Sequence, residues 1–145
     1  MFLVSACLAG VNCRYDGGNC YNKDIYEMVN KGLAIPICPE IIGGLPTPRE
    51  PMETMDNNVY TKIIDKDGNN YTELMLKGAD ECLRFAKLNN VKVAILKSKS
   101  PSCGFGQVYN GEFNGSLIKG NGITSELLAK NGIKIYNEYN YSDVL

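Results

Sequence analysis

The sequence contains no histidine and no tryptophan. The first absence removes the commonest metal ligand and the commonest general base, so serine–histidine catalysis and histidine-built zinc sites are excluded. No Cys-x-x-Cys occurs either, although cysteines stand at positions 7, 13, 20, 38, 82 and 103. Without that knuckle, zinc fingers and ribbons, thioredoxin-type redox pairs and the bacterial ferredoxin run lose their signature. Long apolar runs are missing, and nothing approaches the roughly eighteen residues that a membrane span requires. The apolar start Met1–Cys7 has no basic segment before it and is too short for a secretory signal. Nor does one charge dominate: 15 Lys and Arg face 16 Asp and Glu, a net charge of −1. No global field therefore draws the chain to phosphate backbones or anionic lipid. Familiar nucleotide and calcium loops are also lacking. Gly104-Phe105-Gly106 has Tyr109 where a dinucleotide loop needs its third glycine, and Asp65-Lys66-Asp67-Gly68 places its glycine two positions early for a calcium loop.

What is present is ordinary globular composition, 44% apolar and 21% charged over 145 residues. One domain spanning residues 1–145 is expected, in the cytoplasm, where a reducing environment makes the cysteines packed thiols, metal ligands or nucleophiles rather than a disulfide framework. The apolar run Phe2–Cys7 reads as a buried strand entering a Gly/Asn-rich loop, and residues 23–31 as a short helix stopped by Gly32. Leu33–Cys38 reads as a second strand, short or at an edge because Pro36 cannot donate to a ladder. Prolines 39, 46, 48 and 51 with Gly43 and Gly44 predict a long loop of the functional kind. Val59–Asp65 should be extended and turn at Asp67-Gly68, and Thr72 should cap a helix to Leu88 with Leu76, Ala79, Leu83 and Ala86 as its apolar stripe and Cys82 adjoining it. Val91–Leu96 is the clearest strand, followed directly by a loop through Ser100-Pro101-Ser102-Cys103-Gly104. A hairpin around Asn110-Gly111, a helix over 124–130 and a last strand Ile133–Tyr136 complete the reading. Strands alternating with helices imply crossover connections, hence a single three-layer α/β domain with a mostly parallel, Rossmann-like sheet.

Cys7, Cys38 and Cys103 each lie at or just beyond the carboxyl end of a predicted strand, where open parallel sheets bind ligands. If the three strands are neighbours, the thiols share a pocket. Three thiolates without histidine suit an iron–sulfur centre or a thiolate-bound zinc; the alternative is that each is a small buried hydrophobe. Cys82 reads as core. Cys13 and Cys20 sit in a loop near the proposed pocket and read as a further ligand, a nucleophile or bystanders. Glu40, two residues after Cys38, is the best-placed acid/base in a chain without histidine, unless it is an ordinary solvated carboxylate. Ser100 and Ser102 flank Pro101 in a loop whose backbone amides can form an anion nest, and Arg14 and Arg49 offer donors or simple surface ion pairs.

In these same residues the sequence resembles the thiouracil desulfidase family, small iron–sulfur proteins that include desulfidases of thiouracil and of tRNA thiouridine. The matching segments are Val4–Gly10 with Cys13–Gly18, Cys38-Pro39-Glu40 with Gly43–Arg49, Lys97 with Ser100–Gly104, and Gly120 with Gly122-Ile123-Thr124. The resemblance implies a 4Fe-4S cluster held by Cys7, Cys38 and Cys103 with one iron open, and catalytic roles for Glu40 and Ser100. Cys13 is replaceable in this family and stays outside that ligand set. The implied reaction is a hydrolytic, non-redox removal of sulfur from a small thiolated pyrimidine base or nucleoside. The tRNA-acting relatives carry an additional domain that this chain lacks, so a nucleic-acid partner is not expected. Rival readings are a non-catalytic iron–sulfur or persulfide carrier and a zinc-thiolate hydrolase.

Overall fold

In the computed structural model, which describes residues 1–56 and 60–145, the chain begins with β1 (Phe2–Ser5), a 3-10 turn (Ala6–Ala9), α1 (Lys23–Asn30), β2 (Ala34–Ile37) and α2 (Pro39–Ile42). It continues through β3 (Met52–Asp56), β4 (Thr61–Asp65), α3 (Thr72–Leu88) and β5 (Val93–Ile95). It ends with β6 (Gln107–Tyr109), β7 (Leu117–Lys119), α4 (Ile123–Lys130), β8 (Lys134–Tyr136) and a 3-10 turn (Tyr141–Val144).

β2, β1, β5 and β8 form one parallel sheet in that order. β2 is its edge, as Pro36 requires, because a residue without an N–H leaves no gap in a ladder it does not share. Successive side chains of a strand alternate between faces, and the core divides accordingly. Leu3, Ala94 and Leu96 pack on one face with Cys82 and Ala86 of α3 and Leu128 of α4. Val4 and Ile95 pack on the other with Ile25 and Met28 of α1. This is the expected three-layer arrangement with a mostly parallel sheet. Leu3, Val4, Ile25, Ile95 and Leu128 are fully buried, each contributing roughly 1.5–3 kcal/mol of transfer free energy. No described helix is long and apolar enough to cross a membrane.

Four local expectations need correction. The stretch read as loop from Pro39 opens with α2, a single helical turn with Pro39 in its first position, where a missing N–H costs nothing. The extended segment begins at Thr61, Val59 lying outside the described residues, and it pairs antiparallel with β3, a strand the sequence did not announce. Tyr71, not Thr72, is the N-cap of α3; Thr72 Oγ1 instead accepts the Ile63 amide at 2.9 Å. The apolar stripe of α3 is turned toward Met75 and Gly78: Ala79 and Ala86 are buried as expected, with Cys82 beside them and Leu83 partly buried against the core, whereas Leu76 is 49% exposed. The rotation follows from α2, whose backbone lies directly on α3. A Cβ at Gly78 would fall on the Pro39 carbonyl oxygen, and one at Gly43 on that of Leu74. The hairpin at Asn110-Gly111 is present as β6–β7, joined by residues 110–116.

Candidate active site

Strand register gathers the site. Ser5 stands beside Ile37, and Val4 beside Ile95, so the chain leaves three adjacent strands at one edge of the sheet. Cys38 follows Ile37 immediately, Cys7 lies two residues past Ser5 in the 3-10 turn, and Leu96 leads into the loop that carries Cys103. Two hydrogen bonds fasten these exits: Ser5 Oγ accepts the Lys97 amide at 2.8 Å, and the Cys7 carbonyl accepts the Cys20 amide at 2.9 Å. A cavity of about 530 Å³ opens there, lined by Cys7, Cys13, Cys38, Cys103, Glu40 and Ser100 among others. All five residues singled out for ligation or catalysis therefore face one space. Cys82 is core, and Cys20 lies behind the wall, where its sulfur accepts a hydrogen bond from Arg14 at 2.9 Å.

The loop bearing Cys103 is held by α4. Amides in its first turn, whose N–H groups have no partner within the helix, donate to the loop carbonyls: Ile123 to Pro101 at 3.0 Å and Thr124 to Ser102 at 2.9 Å. Gly122 closes against the same backbone, with its amide on the Gly104 carbonyl at 2.7 Å. The opposite flank is tied by a half-buried ion pair, Lys97 to Glu138 at 2.8 Å, and Glu138 also accepts from the Ser98 amide and hydroxyl. Burial disfavours both charges, yet the pairing overcomes it, raising the Lys97 ammonium above its ordinary value and lowering the Glu138 carboxyl below its own.

Glu40 is anything but a solvated carboxylate. Its Oε1 accepts from Arg49 Nε at 3.0 Å, and the two side chains are 14% and 6% exposed. Its Oε2 accepts from Ser102 Oγ at 2.8 Å. Arg49 is anchored in turn by donating to the Cys13 carbonyl at 2.9 Å. Ser100 reaches Glu40 only through Ser102, the two hydroxyl oxygens being 3.1 Å apart. Ser100 Oγ accepts the amides of Cys103 at 2.7 Å and Ser102 at 3.1 Å, which leaves its own proton to donate. A hydroxyl has one proton, so with that of Ser102 on Glu40 the chain runs in one direction: Ser100 to Ser102 to Glu40. Sequence reasoning placed Ser102 only in an amide nest and missed it as the link; a serine two residues from another gives no hint of which carboxylate it meets.

Three of the cavity thiols, Cys13, Cys38 and Cys103, are held above the ordinary thiol range. The Cys13 thiol is lowered by its hydrogen bond with Cys38, but contact with Cys7 and burial outweigh this and push it up to about 11. Contact with Cys13, then burial, drive Cys38 far above the ordinary thiol range. Burial raises Cys103 to about 12 against a hydrogen bond from Ser5. Among the described residues no three His, Cys, Asp or Glu side chains converge as ligands of a single metal ion do. The cavity thiols instead line the walls of a space. A donor set made of buried and half-buried cysteine sulfurs, spread around such a volume, fits an iron–sulfur centre.

Fold and site together define an α/β protein with a cavity at one edge of its parallel sheet, walled by thiols and by a paired carboxylate. The chain belongs to the 2-thiouracil desulfurase family, whose model matches residues 2–140. It is 41% identical over 151 residues to the uncharacterized protein YbbK of Bacillus subtilis (strain 168), with 100% of both chains covered. Its structure resembles that of the 4Fe-4S-dependent thiouracil desulfidase TudS, with a TM-score of 0.91 and 35% identity over 99% of this chain and 93% of that one.

Proposed function

We propose that this protein is an iron–sulfur-dependent desulfidase that converts a small thiolated pyrimidine, such as thiouracil, to the corresponding oxo base and hydrogen sulfide. The observation that carries the reading is the meeting of Cys7, Cys38 and Cys103 with Glu40 in one cavity at the carboxyl ends of three adjacent strands. These three cysteines would hold a 4Fe-4S cluster, and Cys13 stands beside them without being required. When bound, a cluster with one iron free of protein ligands supplies a Lewis-acidic, sulfur-seeking site.

The chain's own groups do the rest. Glu40, fixed by Arg49 on one oxygen and Ser102 on the other, is oriented as a proton acceptor and takes a proton from the attacking water. The proton taken up by Glu40 is handed back through Ser102 to Ser100, the two hydroxyls reversing their donation, and so reaches the departing side of the base. The 97–103 loop, held by α4, keeps these atoms in place, which is the positional part of catalysis. Water supplies oxygen and two protons, the C=S bond is exchanged for C=O, and sulfur leaves as hydrogen sulfide. No electrons are transferred, so no reductant is needed.

The test is anaerobic purification followed by incubation with 2-thiouracil. Uracil and sulfide should form in equal amounts over many turnovers. Cys7→Ser, Cys38→Ser and Cys103→Ser should each lose iron, whereas Glu40→Ala should keep iron and lose turnover. A single sulfur transferred per chain would mark a carrier and overturn the enzymatic reading.

A further inference from the structure

The cavity has a wall that takes no part in the chemistry described so far. The β6–β7 hairpin contributes Tyr109, Phe113 and Gly115 to its lining, and Tyr15 lines it from the loop after β1. We infer that Phe113 is the ring-binding residue of this cavity, stacking on the planar face of the thiolated pyrimidine, and that Glu53 is the positioning residue that holds it there. The inference rests on the desulfidase reading and adds to it how the base is recognised.

Two observations support it. Glu53, on β3, also lines the cavity, and a single oxygen of its carboxylate, Oε1, accepts the amides of Gly111 at 3.0 Å and Phe113 at 3.2 Å. The loop is thereby pinned to β3, and so tightly that a Cβ on Gly111 would stand 2.8 Å from the Thr54 carbonyl oxygen. The backbone of Phe113 itself is left-handed, with φ +56°. A bulky side chain is costly there, and glycine or asparagine is the usual occupant. Asn114 and Gly115 follow directly and would fit that conformation better. A strained aromatic residue, fixed by a carboxylate of the same wall and facing a cavity, is placed for its ring rather than for its turn. Lys99, with φ +67°, is another left-handed residue in the cavity wall.

The division of labour is chemically consistent. Glu40, Ser102 and Ser100 address the polar edge of a base, where protons move. An aromatic platform addresses its face, which every pyrimidine presents in the same way. Such a wall would accept the oxo product as readily as the thio substrate, because the exchanged atom lies on the edge.

That equivalence supplies the test, done with the cluster-loaded enzyme. Phe113→Ala and Phe113→Gly should each raise the KM for 2-thiouracil about tenfold, with kcat held within about threefold. Calorimetric titration with uracil should show the same weakening. Phe113→Gly suits the left-handed backbone, so its loss of affinity reports the missing ring and not a distorted loop. Phe113→Trp should restore affinity, and Glu53→Ala should weaken it less while speeding amide exchange at Gly111 and Phe113. Unchanged KM and uracil affinity in both ring-less variants would overturn the inference, as would loss of iron in place of loss of affinity. Wild-type enzyme without turnover would sink the desulfidase reading alone, since uracil affinity is measured separately.

Discussion

Ser102 stands between two oxygens, accepting a hydrogen bond from Ser100 and donating its own to Glu40. It is 1% exposed, so its hydroxyl is committed to the chain from Ser100 to Glu40 and not to bulk water. Ser102→Ala should therefore keep iron content and fold while lowering kcat by about a hundredfold, the range associated with a positioned proton-transfer group; Ser102→Thr, which retains the hydroxyl, should recover much of it. Steady-state assays beside iron analysis check both. At this scale the sequence was informative about residue type and silent about partners. Glu40 was recognisable from its distance to Cys38 in a chain without histidine, but its pairing with Arg49 depends on residues 43–49 folding back across the pocket. No periodicity encodes that return.

Among elements, the crossing of α2 on α3 fixes the site most directly, because α2 begins one residue after Cys38 and contains Glu40. The crossing is backbone on backbone at Gly43 and Gly78. Gly78→Ala would gain close to 1 kcal/mol in helix propensity but drive a methyl group into the Pro39 carbonyl. Overpacking of this kind costs about 1–3 kcal/mol or more, and here the obstacle is main chain that cannot rotate away. A lower thermal midpoint together with reduced iron retention is expected; a more stable, fully active variant would show that the contact is slack. Strands and the long helix were legible because their apolar runs and turn residues agree with their surroundings. The stripe of α3 was read correctly at Ala79 and Ala86 but misread at Leu76, which is exposed while Met75 and Gly78 are buried, since a glycine within a helix looks like a weak point in sequence and becomes a buried contact only when α2 is laid upon it. β3 escaped notice because a five-residue strand among prolines has little pattern of its own.

For the molecule as a whole, the thiols make stability and metal uptake respond to pH with opposite signs. In metal-free protein Cys13, Cys38 and Cys103 are raised above the ordinary thiol value, Cys13 to about 11 and Cys103 to about 12. Unfolded thiols ionise near about 8.5, so above that pH the unfolded chain binds fewer protons and the apoprotein loses stability progressively as pH climbs toward the folded values. Its thermal midpoint should be lower at about pH 9.5 than at about pH 7.5. Uptake of the proposed cluster would displace the protons of Cys38 and Cys103 and should strengthen as pH rises. Competition with a chelator across the same interval measures the second effect, and a midpoint independent of pH would disprove the first. That the three cysteines share one rim was predictable from the order of strands and loops, conditional on β2, β1 and β5 being neighbours. The sheet order β2-β1-β5-β8 meets that condition.

The sulfur atoms of Cys7 and Cys103 come from positions 96 residues apart and meet only because β5 lies against β1. If these cysteines hold the proposed cluster, a nascent chain leaving the ribosome offers no complete site for it until more than two thirds of the chain has been synthesised and that pairing has formed. On the proposed ligand set, cluster insertion waits for the β1–β5 pairing, unlike metal binding in a zinc finger, whose ligands lie close together in sequence.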